Sequence, residues 1–154
     1  MFDIWNEPSV IAESQYEKAN YRIENKRVRG YCYIFCSSNH IWFPNEKVYF
    51  EKMVADDRYE WAHIPCNKAD KTIYIRNIYK SWYVTGINDR ISNMNQLILF
   101  LKHETDGYET VTIGSSSGGY LAALYAAPFP QFDFGVYISI CRIGPIFHHA
   151  FCRK

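Results

Sequence analysis

Thr112-Ile113-Gly114-Ser115-Ser116-Ser117-Gly118-Gly119-Tyr120-Leu121-Ala122-Ala123 is the stretch on which the reading of this sequence turns. A short β-branched run, 109–113 (ETVTI), leads into a glycine–serine turn. The segment 120–127 (YLAALYAA) has helical character and is stopped by Pro128 and Pro130. Gly114-Ser115-Ser116-Ser117-Gly118 matches G-x-S-x-G between a strand and a helix. A turn this sharp forces its middle residue into strained backbone geometry and tolerates only small neighbours, which Gly114, Gly118 and Gly119 provide. It lifts the Ser116 hydroxyl above the sheet at a helix start, where unused N–H groups and the positive end of the helix dipole suit a developing oxyanion. A glycine loop holding an anion at a helix N-terminus is the competing reading. Its P-loop form needs a lysine after the glycines, and its dinucleotide form needs G-x-G-x-x-G; neither is present.

Working outward, 31–36 (YCYIFC) is a continuous apolar run of strand length, read as a strand buried on both faces. Residues 71–78 (KTIYIRNI) alternate and read as a second strand, 109–113 as a third and 136–141 (VYISIC) as a fourth. Between them lie helix signals. Asn6-Glu7-Pro8-Ser9 resembles a helix start, with weak periodicity to about Tyr21. Asn45 is a cap for 46–55. Asp89 or Ser92 is a cap for a helix to about Thr105, with Met94, Leu97, Ile98 and Leu101 on one face and Gly107 beyond its end. This alternation predicts an α/β fold in three α/β/α layers around a mainly parallel sheet. It reads as one domain over 1–154, with a helical extension over 1–29 and an atypical tail over 128–154.

The composition narrows the function classes. With 154 residues of which 48% are hydrophobic, the chain can bury a core of its own. Its 17 basic and 16 acidic residues nearly cancel, and Lys26-Arg27-Val28-Arg29 is too short a basic run to argue for nucleic acid; it reads as a solvated turn before a strand. The five cysteines show no C-x-x-C spacing, and Cys32 and Cys36 fall in the apolar run, pointing into a core. That usage points to a reducing cytoplasm and to neither a disulfide framework nor a metal site. No signal peptide or membrane-length apolar run is visible, and no cofactor is expected.

From about Tyr31 to Ala127 the sequence resembles the α/β-hydrolase superfamily. More narrowly, it is similar to the small hydrolase-like proteins of bacterial surface-polysaccharide gene clusters. The residues that carry this are Cys36-Ser37-Ser38-Asn39, Asp57-Arg58-Tyr59-Glu60-Trp61, Trp82-Tyr83-Val84-Thr85-Gly86-Ile87-Asn88 and 113–120. The resemblance implies a serine esterase or acyl hydrolase acting on a small-molecule or carbohydrate ester. It makes Ser116 the nucleophile, the Ser117 N–H one oxyanion donor and the Ser37–Ser38 backbone the second. His40 follows in the same loop, where it could touch a substrate or be an ordinary polar loop residue. The loop after 71–78 shares the rim with the elbow, so Trp82 and Tyr83 could stack on a substrate or pack beneath their own loop.

A serine triad also needs a histidine base and an acid that orients it. After Ser116 only Asp133 and the pair His148 and His149 supply them, in the right chain order but close behind the elbow helix, before the further strands and helices that normally intervene. The tail loses the strand–helix rhythm after about Ala127, so the expectation is a hydrolase truncated, or read out of frame, after its elbow helix. The alternatives are a non-catalytic fragment, a protein binding a glycan or a partner, and an anion-binding protein using the glycine–serine turn. A four-stranded sheet would leave an apolar edge uncovered, which predicts self-association.

Overall fold

A computed structural model describes residues 10–38 and 46–127. Four strands form one sheet: β1 (Tyr21–Asn25), β2 (Gly30–Cys36), β3 (Lys71–Ile75) and β4 (Tyr108–Gly114), in the order β1-β3-β2-β4. β2 lies parallel to both β3 and β4, with Cys36 opposite Ile75 on one side and Gly114 on the other; β1 runs antiparallel to β3. The fold is therefore α/β with a mostly parallel sheet. The C-terminal ends of β2, β3 and β4 meet at one rim, which is where loops gather function in such sheets.

The central strands are the ones with the least polar sequence. All five residues of β3 are buried, as are Cys32, Ile34, Phe35 and Cys36 of β2. Alternation sorts them by face. Cys32, Ile34, Cys36, Ile73 and Ile75 point to one side, where they pack on Leu97 and Leu101 of α3 (Met94–Glu104) and on Leu121 and Ala122 of α4 (Ser117–Ala126). Phe35, Tyr74, Val111 and Ile113 point to the other side. There Tyr59, Trp61 and Ala62 cover them, from a segment of turns. A third cluster joins Ala12 of α1 (Val10–Tyr16) to Met53 and Ile78. Met53 lies in the π-helical turn Phe50–Ala55 that continues α2 (Glu46–Tyr49).

Several boundaries differ from those expected. The helical extension over 1–29 is helix only at α1 among its described residues, and Tyr21–Asn25 is a strand of the sheet. As an edge strand half exposed along its length, it carries too little apolar alternation to read as one. The strand expected to reach Ile78 stops at Ile75, after which Arg76, Asn77 and Ile78 continue as buried loop. α3 is capped by Asn93, whose side chain accepts from Gln96 N–H, and not by Asp89 or Ser92. Ser92 N–H and Oγ instead donate to the Gln96 side chain, so Gln96 reaches back to the residue before the cap. α4 begins at Ser117, directly at the glycine–serine turn. The strand expected at 136–141, the Asn6–Ser9 helix start and the Asn45 cap lie outside the described residues.

Candidate functional site

The site is built from the rim inward. β4 ends in Gly114, and the chain reverses through Ser115 and Ser116 into α4. Ser116 has φ 52° and ψ −124°, a left-handed conformation that a residue with a Cβ adopts only under constraint. The constraint comes from its glycines. A Cβ on Gly114 would run into Gly118 C and O and lie 2.8 Å from Gly119 N. A Cβ on Gly118 would run into Cys36 O and lie 2.8 Å from Ser37 O. Both positions are closed to any larger residue by backbone, and backbone cannot swing aside. Gly118 N–H returns to Ser115 O (2.9 Å) and Tyr120 N–H to Ser116 O (3.0 Å). The Ser117 N–H, at the first helical position, is a donor the helix itself leaves unused. Thr112 Oγ1 donates to Ala122 O (3.1 Å), tying α4 down on the strand that precedes it, and Gly119 is buried beside it in the first turn.

Across from the elbow, the end of β2 is held by aromatic donors. Trp61 Nε1 donates to Cys36 O (3.1 Å) and Tyr83 OH to Ser37 O (2.8 Å). The N–H groups of this turn are also engaged. Ser37 N–H donates to Ile75 O (3.1 Å), and Ser38 N–H to a carboxylate oxygen of Glu60 (2.5 Å). The second oxyanion donor expected at Ser37–Ser38 already has acceptors in this structure. What the turn offers the elbow is a surface of carbonyls against which Gly118 packs.

The chain matches no protein-family model, no curated protein and no solved structure. The site therefore rests on its own geometry.

Trp82 and Tyr83 part company. Tyr83 is wholly buried beneath the rim, where burial raises its hydroxyl well above the usual range and the Ser37 carbonyl accepts its hydrogen bond. It supports the loop and does not meet solvent. Trp82 is 43% exposed and meets Tyr120 of the elbow helix edge-on, with ring centroids 6.0 Å apart. Lys80, Trp82 and Tyr83 all have positive φ, and the buried Asn77 amide oxygen, turned toward them, accepts from Trp82 N–H (3.2 Å) and Tyr83 N–H (3.0 Å). This strained loop presents the Trp82 ring beside the elbow.

Glu60 and Trp61 belong to no motif that announces a role, although their stretch is among those that carry the resemblance. Glu60 accepts from both the N–H and the Oγ–H of Ser38 (2.5 and 2.9 Å). Burial pushes its carboxyl up to about 7, although the two Ser38 hydrogen bonds and the Lys52 charge pull the other way. Its loop is fastened by Arg76, a buried guanidinium that donates to Asp57 (2.7 Å) and to Arg58 O (3.3 Å) and lies 4.3 Å from the Tyr59 ring centre. A cavity of about 680 Å³ opens on this side, with Glu60, Trp61, Lys52 and His63 in its wall and no elbow residue among its lining.

Among the described residues no histidine is hydrogen-bonded to Ser116. His63 is exposed in the cavity wall, and His103 pairs with Glu104 (3.4 Å) at the far end of α3. His40, Asp133, His148 and His149 lie outside the described residues. Cys32 and Cys36 are buried free thiols, as expected; burial pushes Cys32 up to about 12 and raises Cys36 as well, so neither is a nucleophile at neutral pH.

Proposed function

We propose that this chain is a serine acyl hydrolase of three-layer α/β-hydrolase type, with Ser116 as nucleophile and an ester, small-molecule or carbohydrate, as substrate. The observation that carries this reading is the backbone of Ser116. It is held in a left-handed conformation between β4 and α4, by two glycines that backbone contacts close to larger residues. A strand-to-helix turn held under strain with a serine at its tip is the geometry that presents a nucleophile. The reaction would begin with attack of Ser116 Oγ on the acyl carbonyl. The carbonyl oxygen would take up negative charge facing the Ser117 N–H and the positive end of α4. The hydroxyl must surrender its proton during attack, so the reading requires a base. Trp82 and Tyr120 would flank the approach on one side.

Labelling with a fluorophosphonate tests this directly. The 154-residue chain is expected to be labelled, and Ser116→Ala to abolish the label. A folded wild-type chain that takes up no label overturns it. The second reading is a non-catalytic binding protein that keeps the elbow, and it predicts that second outcome.

A further inference from the structure

We infer that Glu60 is a positioning residue for the Ser37–Ser38 turn and, through that turn, for the elbow, so that acylation of Ser116 depends on the Glu60 carboxylate as acceptor for Ser38. The inference rests on the hydrolase reading for the acylation step. Its structural half stands on contacts alone.

The carboxylate takes two donors from one residue, the Ser38 N–H and Oγ–H, which fixes both the position and the rotation of the turn. The same turn bears the carbonyls of Cys36 and Ser37, and a Cβ on Gly118 would lie 2.8 Å from Ser37 O. A displacement of the turn by a few tenths of an ångström is therefore felt where α4 starts, at the Ser117 N–H. Glu60 is itself delivered by a fastened loop: Trp61 Nε1 holds Cys36 O, and Arg76 holds Asp57 and Arg58. Two adjacent residues of one loop thus grip two neighbouring points at the end of β2.

A neutral side chain could cap Ser38 at lower cost. A buried carboxylate whose ionisation is disfavoured weakens the fold whenever it is charged, and such groups concentrate where charge has a use. Ionised Glu60 makes two charge-assisted bonds to Ser38. Protonation turns one oxygen into a donor and weakens both. Three groups face it from the packed elements: Lys52 from the π-helical turn, the Cys36 thiol from β2 and the Tyr83 hydroxyl from the loop after β3. Burial keeps the last two protonated. Around the cavity stand Arg22 of β1 and Asp56, Asp57, Arg58 and His63 on its own side of the chain.

The test is the rate of fluorophosphonate labelling as a function of pH for the full chain, Glu60→Gln and Glu60→Ala, with amide exchange at Ser38 read on the same proteins. The wild-type rate is expected to rise through about pH 7. Glu60→Gln keeps an oxygen for the Ser38 N–H but cannot ionise. It should lose that rise, label about tenfold more slowly on the alkaline side, and still exceed Glu60→Ala. A step that persists unchanged in Glu60→Gln belongs to the serine's base and overturns the inference. Exchange does not depend on labelling. Faster exchange of the Ser38 amide in Glu60→Ala than in wild type supports the positioning role, and equal protection overturns it. No label on the wild-type chain, with the exchange difference present, overturns the hydrolase reading and leaves the positioning role supported.

Discussion

Ser116 carries backbone strain at the turn between β4 and α4. With φ 52° and ψ −124°, it occupies a region in which glycine is at ease and a residue with a Cβ is not. Its hydroxyl is dispensable for this geometry, whereas its Cβ is the source of the cost. Ser116→Gly is expected to stabilise the chain by about 1 kcal/mol in urea unfolding while abolishing the label. Ser116→Ala should abolish the label with little change in stability, because the Cβ remains. Equal unfolding midpoints for the two variants would mean that the turn is unstrained. The expected pattern, stability gained as chemistry is lost, marks a position kept for function. Glu60 makes the same point from the other direction, as a carboxyl buried against Ser38 when a neutral cap would be cheaper.

Each element is held by contacts at its ends, and these decide how much of the fold was legible beforehand. β2 was plain in the sequence because a central strand must be apolar on both faces, and Tyr31-Cys32-Tyr33-Ile34-Phe35-Cys36 has no other use. The elbow was plain because G-x-S-x-G is a local pattern and Gly114 is demanded by the turn itself, although Gly118 answers to the distant backbone of Cys36 and Ser37. β1 was not, since Tyr21-Arg22-Ile23-Glu24-Asn25 offers one aliphatic residue and two charges to an edge. The Glu60–Ser38 and Trp61–Cys36 contacts join residues 22 and 25 positions apart, and nothing local announces them. Another long-range contact, between Lys71 at the start of β3 and Glu104 at the end of α3, predicts a measurable cost. The Lys71 ammonium is buried, lies 2.8 Å from the Glu104 carboxylate and also donates to Glu104 O. Burial works against the Glu104 charge, but the hydrogen bond and charge of Lys71 hold its carboxyl below the usual value. This contribution is present above the unfolded carboxyl's range and is lost as pH falls through the folded one. Lys71→Ala should cost about 1–2 kcal/mol in urea unfolding at neutral pH, because it leaves a half-buried carboxylate with His103 and solvent alone, and Lys71→Met with Glu104→Leu should recover most of it. A Lys71→Ala protein as stable as wild type would show the pair to be idle.

At the scale of the whole molecule, the two edges of the sheet are unlike. β1 closes one side with Arg22 and Glu24 paired at 3.2 Å, charges that discourage another strand from adding there. β4 forms the other side, seven residues long, with Glu109 its only charge; among the described residues no strand pairs with its outer edge. Val111 and Ile113 face the aromatic side of the sheet, while Thr110 and Thr112 face the side on which α4 packs, so the edge combines a continuous backbone with little to repel a partner. An edge of this kind, wherever nothing else in the chain covers it, recruits a second copy of the same strand. The chain is therefore expected to self-associate in sedimentation velocity, with a mass that rises with concentration and depends only weakly on salt, because backbone hydrogen bonds and apolar contacts would hold the interface. A species that sediments as a monomer at every concentration would overturn this. Since β4 leads straight into the elbow, association along its edge would also sit next to Ser116, and the labelling rate should then vary with protein concentration in step with the mass.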